Sequence, residues 1–507
     1  MSVSLSRRSL LAITAAAAGG RLAGQRRTPA NILVIMADQH SPHVLGCYGD
    51  TVIRTPNLDA LARRGTLFRN AYCQAPLCVP SRMSFLTSRQ PSENGVWMNS
   101  DTLASDMPTF AHSLGAAGYE CALIGRMHFN GPDQRHGFTK RLVGDLTPAY
   151  PDVPIPLPPS IRPGATNSSL ASVTIAGPGS TAYRVFDEDV TKSAVEYIHA
   201  TARSDKPFCA VAGFVLPHSP FICSEEDWNY YYDRVSIPHV PAGYLEGLHP
   251  AVKAWRKARG VETVNAEQVR RARAGYYGLV AELDRHVGKI LAALHESGQE
   301  ENTLVVYTSD HGEMAGENGM WWKFNFFQGS VMVPLIVALP GRIPGGRSIP
   351  EVVSLIDVAP TLTEVAGSER LPRATGRSLM PLLTGTGANW PDEAFSELPA
   401  IGPVPATRMV RRGRWKLVHF DGMRPQLFDI QTDPHEFHDL GEDPAHRTIR
   451  EELDARAAAN WSAAAINAEL EARRKDELLV RLWAQKVHPP DSELWTAPAG
   501  ANQFRKE

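Results

Sequence analysis

Several short stretches of this 507-residue chain carry reactive side chains in patterns that suggest chemistry. In residues 73–89, Cys78 is followed by Pro80, Ser81 and Arg82. Taken alone, a cysteine beside a proline reads as a small buried hydrophobe. Here the apolar Met83, Phe85 and Leu86 predict a buried helix, and Pro80 suits its first turn. Cys78 then falls at a helix N-terminus, where N–H groups and the helix dipole favour an anion. Arg82, one turn on, points back at the same spot. Two apolar runs end in acids: residues 31–38 end in Asp38, and residues 303–309 are followed by Asp310 and His311. Either alone reads as a capped strand end. Together they predict a divalent-cation site whose mostly oxygen donors favour a hard cation over zinc. Arg126 and His128 follow another apolar run and read as an oxyanion-binding edge, against the blander reading of a surface arginine and a core histidine. His218, with Pro217 before it and Pro220 after it, is rigidly aimed, as a general acid at a leaving oxygen would be. Lys323 stands among Trp321, Trp322 and Phe324, where a lone lysine would normally be driven to the surface.

These side chains need a scaffold that delivers strand ends to one place. The runs at 31–38 and 303–309 are apolar up to a terminal acid, which predicts parallel strands buried on both faces, and those at 207–216 and 334–338 read as further core strands. Between them, residues 55–64 give a short helix with Gly65 as its stop. A second helix is expected around 106–114. Residues 267–297 form a long amphipathic helix on the spacing of Leu283, Val287, Ile290 and Leu294, with Tyr276 and Tyr277 in the core. The expected class is α/β, a large mixed, mostly parallel sheet between helices. Ligand sites in such sheets lie beyond the carboxyl ends of the strands, where Asp38 would sit. From about residue 391 the strands become shorter, and a charged, alanine-rich helix begins after residue 450.

Composition is that of an ordinary soluble globular protein, with 43% hydrophobic and 21% charged residues. A net charge of −2 gives no electrostatic case for nucleic acid or an anionic membrane. The six cysteines show neither metal-ligand spacing nor a disulfide framework. At the N-terminus, Ser6-Arg7-Arg8-Ser9-Leu10-Leu11 precedes an alanine-rich run too short to span a bilayer. This predicts a signal peptide over residues 1–24, read by the twin-arginine translocase, and a periplasmic or secreted protein with no membrane span in the mature chain. A disordered basic tail is the other reading.

The Cys-x-Pro-Ser-Arg run at 78–82 resembles the maturation signature of the type I sulfatases, in the alkaline phosphatase superfamily. The resemblance extends from about Asn31 to about Leu440. It implies an alkaline-phosphatase-like catalytic domain over residues 30–390, a small C-terminal antiparallel subdomain over 391–450 and a tail over 451–507. It implies that a formylglycine-generating enzyme oxidises Cys78 to Cα-formylglycine, which a Cys73–Cys78 bridge would block. The metal set it implies is Asp38, Cys78, Asp310 and His311, with calcium the first choice and manganese or magnesium the alternatives. Gln39 stands where many members have a second acid. Residues 125–134 resemble the Gly-Lys-Met-His-Phe-x-Gly-Pro-Asp-Gln signature of choline sulfatases, with Arg126 in place of the lysine, which keeps the charge. In this reading Arg126 and Lys323 hold the sulfate, His218 protonates the leaving alcohol, His128 is the base that helps release sulfate, and Arg82 orients the nucleophile.

Asn99 falls where the choline sulfatase and phosphonate monoester hydrolase branch has a polar site residue, and Glu397 where choline sulfatases have a carboxylate near the cationic head. The aromatic pattern departs: those enzymes have tryptophans soon after the equivalent of Asp145, whereas this chain has none between Trp97 and Trp228. The expected activity is hydrolysis of a small sulfate monoester, with phosphonate monoester or phosphodiester hydrolysis as the alternative. A catalytically silent periplasmic binding protein would have lost Cys78, a metal carboxylate or Lys323, and none is lost. Related enzymes use such tails to reach a neighbouring subunit, so a homo-oligomer is expected.

Overall fold

The computed structural model describes residues 29–150 and 166–504. The expected signal peptide and most of the proline-rich stretch at 148–163 lie outside those residues.

Nine strands form the main sheet: β1 (Asn31–Asp38), β2 (Thr66–Tyr72), β3 (Glu120–Gly125), β4 (Lys140–Val143), β5 (Phe208–Pro217), β6 (Thr303–Ser309), β7 (Met332–Val333), β8 (Leu335–Ala338) and β9 (Arg347–Ser354). Their order is β9-β2-β8-β6-β1-β5-β3-β4, with β7 also on β2. The four central neighbours β6, β1, β5 and β3 are all parallel, while β8 runs antiparallel to both β6 and β2. Antiparallel twice over makes β2 parallel to the central four, so its carboxyl end opens on the same edge.

The unbroken apolar character of β1 follows from its two buried faces. Leu33, Ile35 and Ala37 pack into one core, with Leu283, Val287, Ile290 and Leu294 of the helix Ala266–Glu296. Ile32, Val34 and Met36 pack into the other, with Met83, Phe85 and Leu86 of α1 (Cys78–Thr87). The long helices α2 (Ala182–Thr201) and α3 (Ala266–Glu296) cover the first face together. A helix on each side of a mostly parallel sheet is what the period-two burial requires.

A second sheet, β10 (Glu393–Leu398), β11 (Thr407–Arg412), β12 (Trp415–Phe420) and β13 (Gln426–Asp429), is a simple antiparallel meander. It braces the segment carrying Lys323: Lys416 on β12 donates to the Phe326 carbonyl (2.6 Å) and pairs with Glu436, which accepts the Gln328 N–H (2.7 Å). The chain ends with helix α4 (Ala463–Val487) and an extended segment that returns to the main sheet. Among the described residues no helix is long and apolar enough to cross a membrane.

Buried Asp357 caps the helix Val358–Ala366 and accepts N–H groups of Ser354 and Arg377, both at 2.8 Å. Burial outweighs those hydrogen bonds and pushes its carboxyl from 3.8 up to about 7. A carboxyl raised on folding contributes stability below its unfolded pKa and loses that contribution as pH rises through the folded value. The thermal stability of the parent chain is therefore expected to fall between about pH 4 and pH 7 relative to an Asp357→Asn variant. Parallel pH profiles of the two melting temperatures would contradict this.

Candidate active site

The carboxyl edge of the central strands gathers the residues that the sequence singles out. Asp38 ends β1, Arg126 follows β3, His218 follows β5, and Asp310 with His311 follows β6. Cys78 opens α1 just beyond β2, and all ten residues of α1 are buried. Asn99 accepts the Val79 N–H at 3.0 Å, satisfying one donor of that helix's first turn, and its carbonyl takes a hydrogen bond from Asn130.

Around the Cys78 sulfur lie Lys323 Nζ at 2.9 Å, His311 Nε2 at 3.2 Å and Asp38 Oδ1 at 3.6 Å. Asp38, Cys78, Asp310 and His311 each offer a donor atom within 4.8 Å of all the others, and all four residues are buried. The Nδ1 of His311 lies 2.9 Å from the Gly312 carbonyl, a contact that requires a proton on Nδ1. That leaves the Nε2 lone pair facing the Asp38 and Asp310 carboxylates, 3.8 and 3.6 Å away. Burial draws the His311 pKa down to about 4 against the pull of Asp310, so the ring is neutral near pH 7. Two carboxylates and a neutral imidazole nitrogen fit a divalent cation, and oxygen predominates among them. Gln39 adds a buried Oε1 with no hydrogen-bond partner, while its own N–H lies on Asp310 at 3.0 Å.

The flanking cations hold this acidic pair. Arg82 donates to Asp310 (2.9 Å) and Asp38 (3.2 Å), and also to the Arg126 carbonyl (3.1 Å). Arg126 donates to Asp38 at 2.6 Å and meets His128 Nδ1 at 2.9 Å. Burial alone would raise the Asp38 carboxyl, but Arg126, His218, Arg82 and Lys323 together hold it well below the usual carboxylate range. Burial and the adjacent Arg126 also push His128 down, well below an ordinary histidine, so it stands as a neutral base. His218 Nε2 is 3.2 Å from Lys323 Nζ, and its Nδ1 donates to the Ser219 carbonyl at 2.7 Å.

Glu397 is placed differently. Its buried carboxylate accepts the Ser92 N–H (2.7 Å) and pairs with Arg408 (3.3 Å), neither of which belongs to the Cys78 cluster. Three further carboxylates support the site without having drawn notice in the sequence. Asp187 accepts the Val215 and Leu216 N–H groups just before His218. Glu313 accepts the Ala315 and Trp322 N–H groups and pairs with the Gln39 amide, closing the loop that ends at Lys323. Asp145 accepts the Met127 and His128 N–H groups. Each bonds mainly to backbone, and backbone donors impose no residue type or spacing that a sequence could reveal.

Comparison with known proteins agrees with this geometry. The sulfatase family profile matches residues 30–368, two thirds of the chain. The chain belongs to the sulfatase family. A second profile, the C-terminal region of N-sulphoglucosamine sulphohydrolase, matches residues 316–461. The sulfatase is 36% identical to the choline-sulfatase of Rhizobium meliloti (strain 1021) over 88% of its own chain and 90% of that protein. It is 28% identical to arylsulfatase K of Rattus norvegicus, covering 90% and 82% of the two chains. Its fold superposes on a phosphonate monoester hydrolase of Agrobacterium radiobacter with a TM-score of 0.70 at 24% identity, over 87% and 96% of the chains. This sulfatase is a hydrolase of sulfuric esters and a member of the alkaline phosphatase superfamily.

Proposed function

We propose that the protein hydrolyses a small sulfate monoester at Cys78 after its oxidation to formylglycine, with one divalent cation, calcium by preference, held by Asp38, Asp310 and His311 and by the modified residue 78. The observation that carries this reading is the convergence of those donors and Lys323 on the Cys78 sulfur, which marks the position of the residue's reacting group. A hydrated formylglycine supplies two hydroxyls, one to attack sulfur and one to release sulfate, whereas a thiol supplies a single nucleophile. A divalent cation supplies Lewis-acid stabilisation of the oxygens placed on it.

The protein's own side chains do the rest. Lys323, beside the Cys78 sulfur, and Arg126, beside Asp38, offer positive charge and bind the sulfate oxygens. Arg82 fixes both metal carboxylates in place through its planar fork. Neutral His128 accepts the proton whose loss lets sulfate depart. Because His218 Nδ1 is committed to Ser219, its Nε2 exchanges a proton with Lys323 Nζ and hands it to the leaving alcohol. Replacing His218 by alanine should therefore lower kcat by about 10²- to 10⁴-fold on an alkyl sulfate. The loss should be far smaller on a nitrophenyl sulfate, whose leaving group needs no proton. An equal loss on both substrates would remove His218 from this role.

The enzyme, co-produced with a formylglycine-generating enzyme, should be assayed on choline sulfate, an aryl sulfate and a phenyl phosphonate ester. Preferential sulfate release is the expected result. A preference for the phosphonate ester would favour the phosphodiesterase-like alternative. A choline head would have to share the Glu397 carboxylate with Arg408, which already pairs with it.

We further propose twin-arginine export to the periplasm, carried by Arg7 and Arg8; an Arg7→Lys/Arg8→Lys double variant exported as well as the parent would contradict it. A homo-oligomer through α4 is supported by its exposed Leu478, Leu479, Leu482 and Val487, with Leu479 68% exposed. Sedimentation should show a Leu479→Asp/Leu482→Asp variant with a smaller particle mass than the parent; equal masses would exclude this surface.

A further inference from the structure

His128 adopts a left-handed backbone conformation (φ 62°), which is strained for a residue with a side chain. What holds it there is a single carboxylate. Asp145 Oδ2 accepts the N–H groups of Met127 (3.0 Å) and His128 (2.7 Å), and Oδ1 faces Arg126 Nη1 at 3.4 Å. Arg141 adds charge from the other side at 3.6 Å. The carboxylate thus sets both the backbone of the Arg126–His128 turn and the far arm of the Arg126 guanidinium.

Asp145 lies just past β4, the outermost strand of the main sheet, so no neighbouring strand of that sheet fixes its outer side. The last residues of the chain do so instead. The Asp145 N–H donates to the Glu493 carbonyl (2.8 Å), and the Asp145 carbonyl accepts the Trp495 N–H (2.7 Å), a parallel bridge centred on Leu494. The approach is close: a Cβ on Gly144 would lie 1.8 Å from the Glu493 oxygen. Asp491 accepts the Ala149 N–H (2.8 Å), Glu493 pairs with Arg135 (2.8 Å), and Trp495 rests edge-on against Phe186 of α2 while donating to Asp189 (2.9 Å). Further on, Asn502 accepts the Ala182 N–H and residues 503–504 pair with the strand Gly177–Ser180.

We propose that Asp145 is a positioning residue for Arg126 and His128, and that the C-terminal strap 491–504 sets where Asp145 stands, so that the end of the chain completes the active site of its own protomer. This rests on the reading of Arg126 and His128 as catalytic groups. No contact of the strap with substrate is required; it acts through one carboxylate, on a turn whose displacement by about 1 Å would cost on the order of 10²-fold in rate.

The test uses full-length matured enzyme, a chain ending at Val487, Trp495→Ala and Asp145→Asn, assayed on the sulfate ester the parent turns over fastest. Truncation and Asp145→Asn should each lower kcat by about 10²-fold, and their combination should cost no more than either alone, because both act through the same turn. A synthetic peptide spanning 488–507 should restore kcat to the truncated enzyme in a saturable manner. If the truncated chain does not fold, Trp495→Ala and Gly144→Ala in the full chain carry the same comparison. Unchanged kcat in the strap variants, or additive losses with Asp145→Asn, would overturn the proposal. Hydrogen exchange separates this from the functional reading: the Met127 and His128 amides should lose protection in the strap variants even if no ester is turned over. Unchanged protection would overturn the strap on its own.

Discussion

Replacing Cys78 by alanine is expected to lower kcat by on the order of 10⁵- to 10⁶-fold, the scale seen when a covalent nucleophile is deleted from an otherwise intact site. The fold should survive, because Cys78 is a small side chain at the start of a helix whose Met83, Phe85 and Leu86 provide the packing. Serine at the same position makes a sharper test. It offers one hydroxyl at the place where two are needed, so it can accept the sulfuryl group but cannot then expel it. Cys78→Ser protein should therefore release about one equivalent of alcohol per active site and then stop, with no free sulfate. Sustained sulfate release by either variant, measured by ion chromatography, would show that the chemistry does not pass through residue 78.

Asp38→Asn is expected to damage both activity and stability. The Asp38 carboxylate pairs with Arg82 and Arg126 in a fully buried setting and belongs to the donor group proposed to hold the metal. Neutralising it leaves the two guanidinium groups, among the described residues, with Asp310 and Asp145 as carboxylate partners. Breaking a buried pair by removing one partner costs about 3–5 kcal/mol, which urea denaturation of the metal-free proteins would register directly. In turnover, loss of the ligand should cost on the order of 10³-fold, equivalent to about 4 kcal/mol of transition-state stabilisation. Excess divalent cation should recover part of the activity but none of the stability lost in the metal-free protein. An Asp38→Asn protein with parental stability and kcat would refute the role given to this cluster.

Much of the scaffold was legible because burial on both faces removes alternation from a strand. The runs ending at Asp38 and Ser309 read as strands for that reason, and their terminal acids stood out against apolar neighbours. The 267–297 helix was equally plain, since one face alone meets the core. The order of strands was not legible. Nothing in Leu335–Ala338 announces that it enters antiparallel between β2 and β6, because a four-residue apolar strand reads the same in either direction.

The site divides along a similar line. Cys78, Arg82, Asp310, His311 and Lys323 could be picked out because their chemistry is conspicuous beside proline, strand end or aromatic neighbours. Glu397 was placed by resemblance alone, and the structure sets it against Arg408 and the Ser92 N–H. Asp145, Asp187 and Glu313 were missed because their partners are chiefly main-chain N–H groups. The strap was missed for the same reason: Glu493 and Trp495 dock through main-chain groups, and a polar tail carries no pattern for that.

The central claim is that residue 78 does its chemistry as formylglycine rather than as cysteine. Mass spectrometry of the proteolytic peptide carrying Cys78, taken from enzyme that is releasing sulfate, tests it most directly. An aldehyde, or its hydrate, is expected in a fraction of molecules that rises with the measured kcat. An intact thiol throughout fully active protein would contradict it.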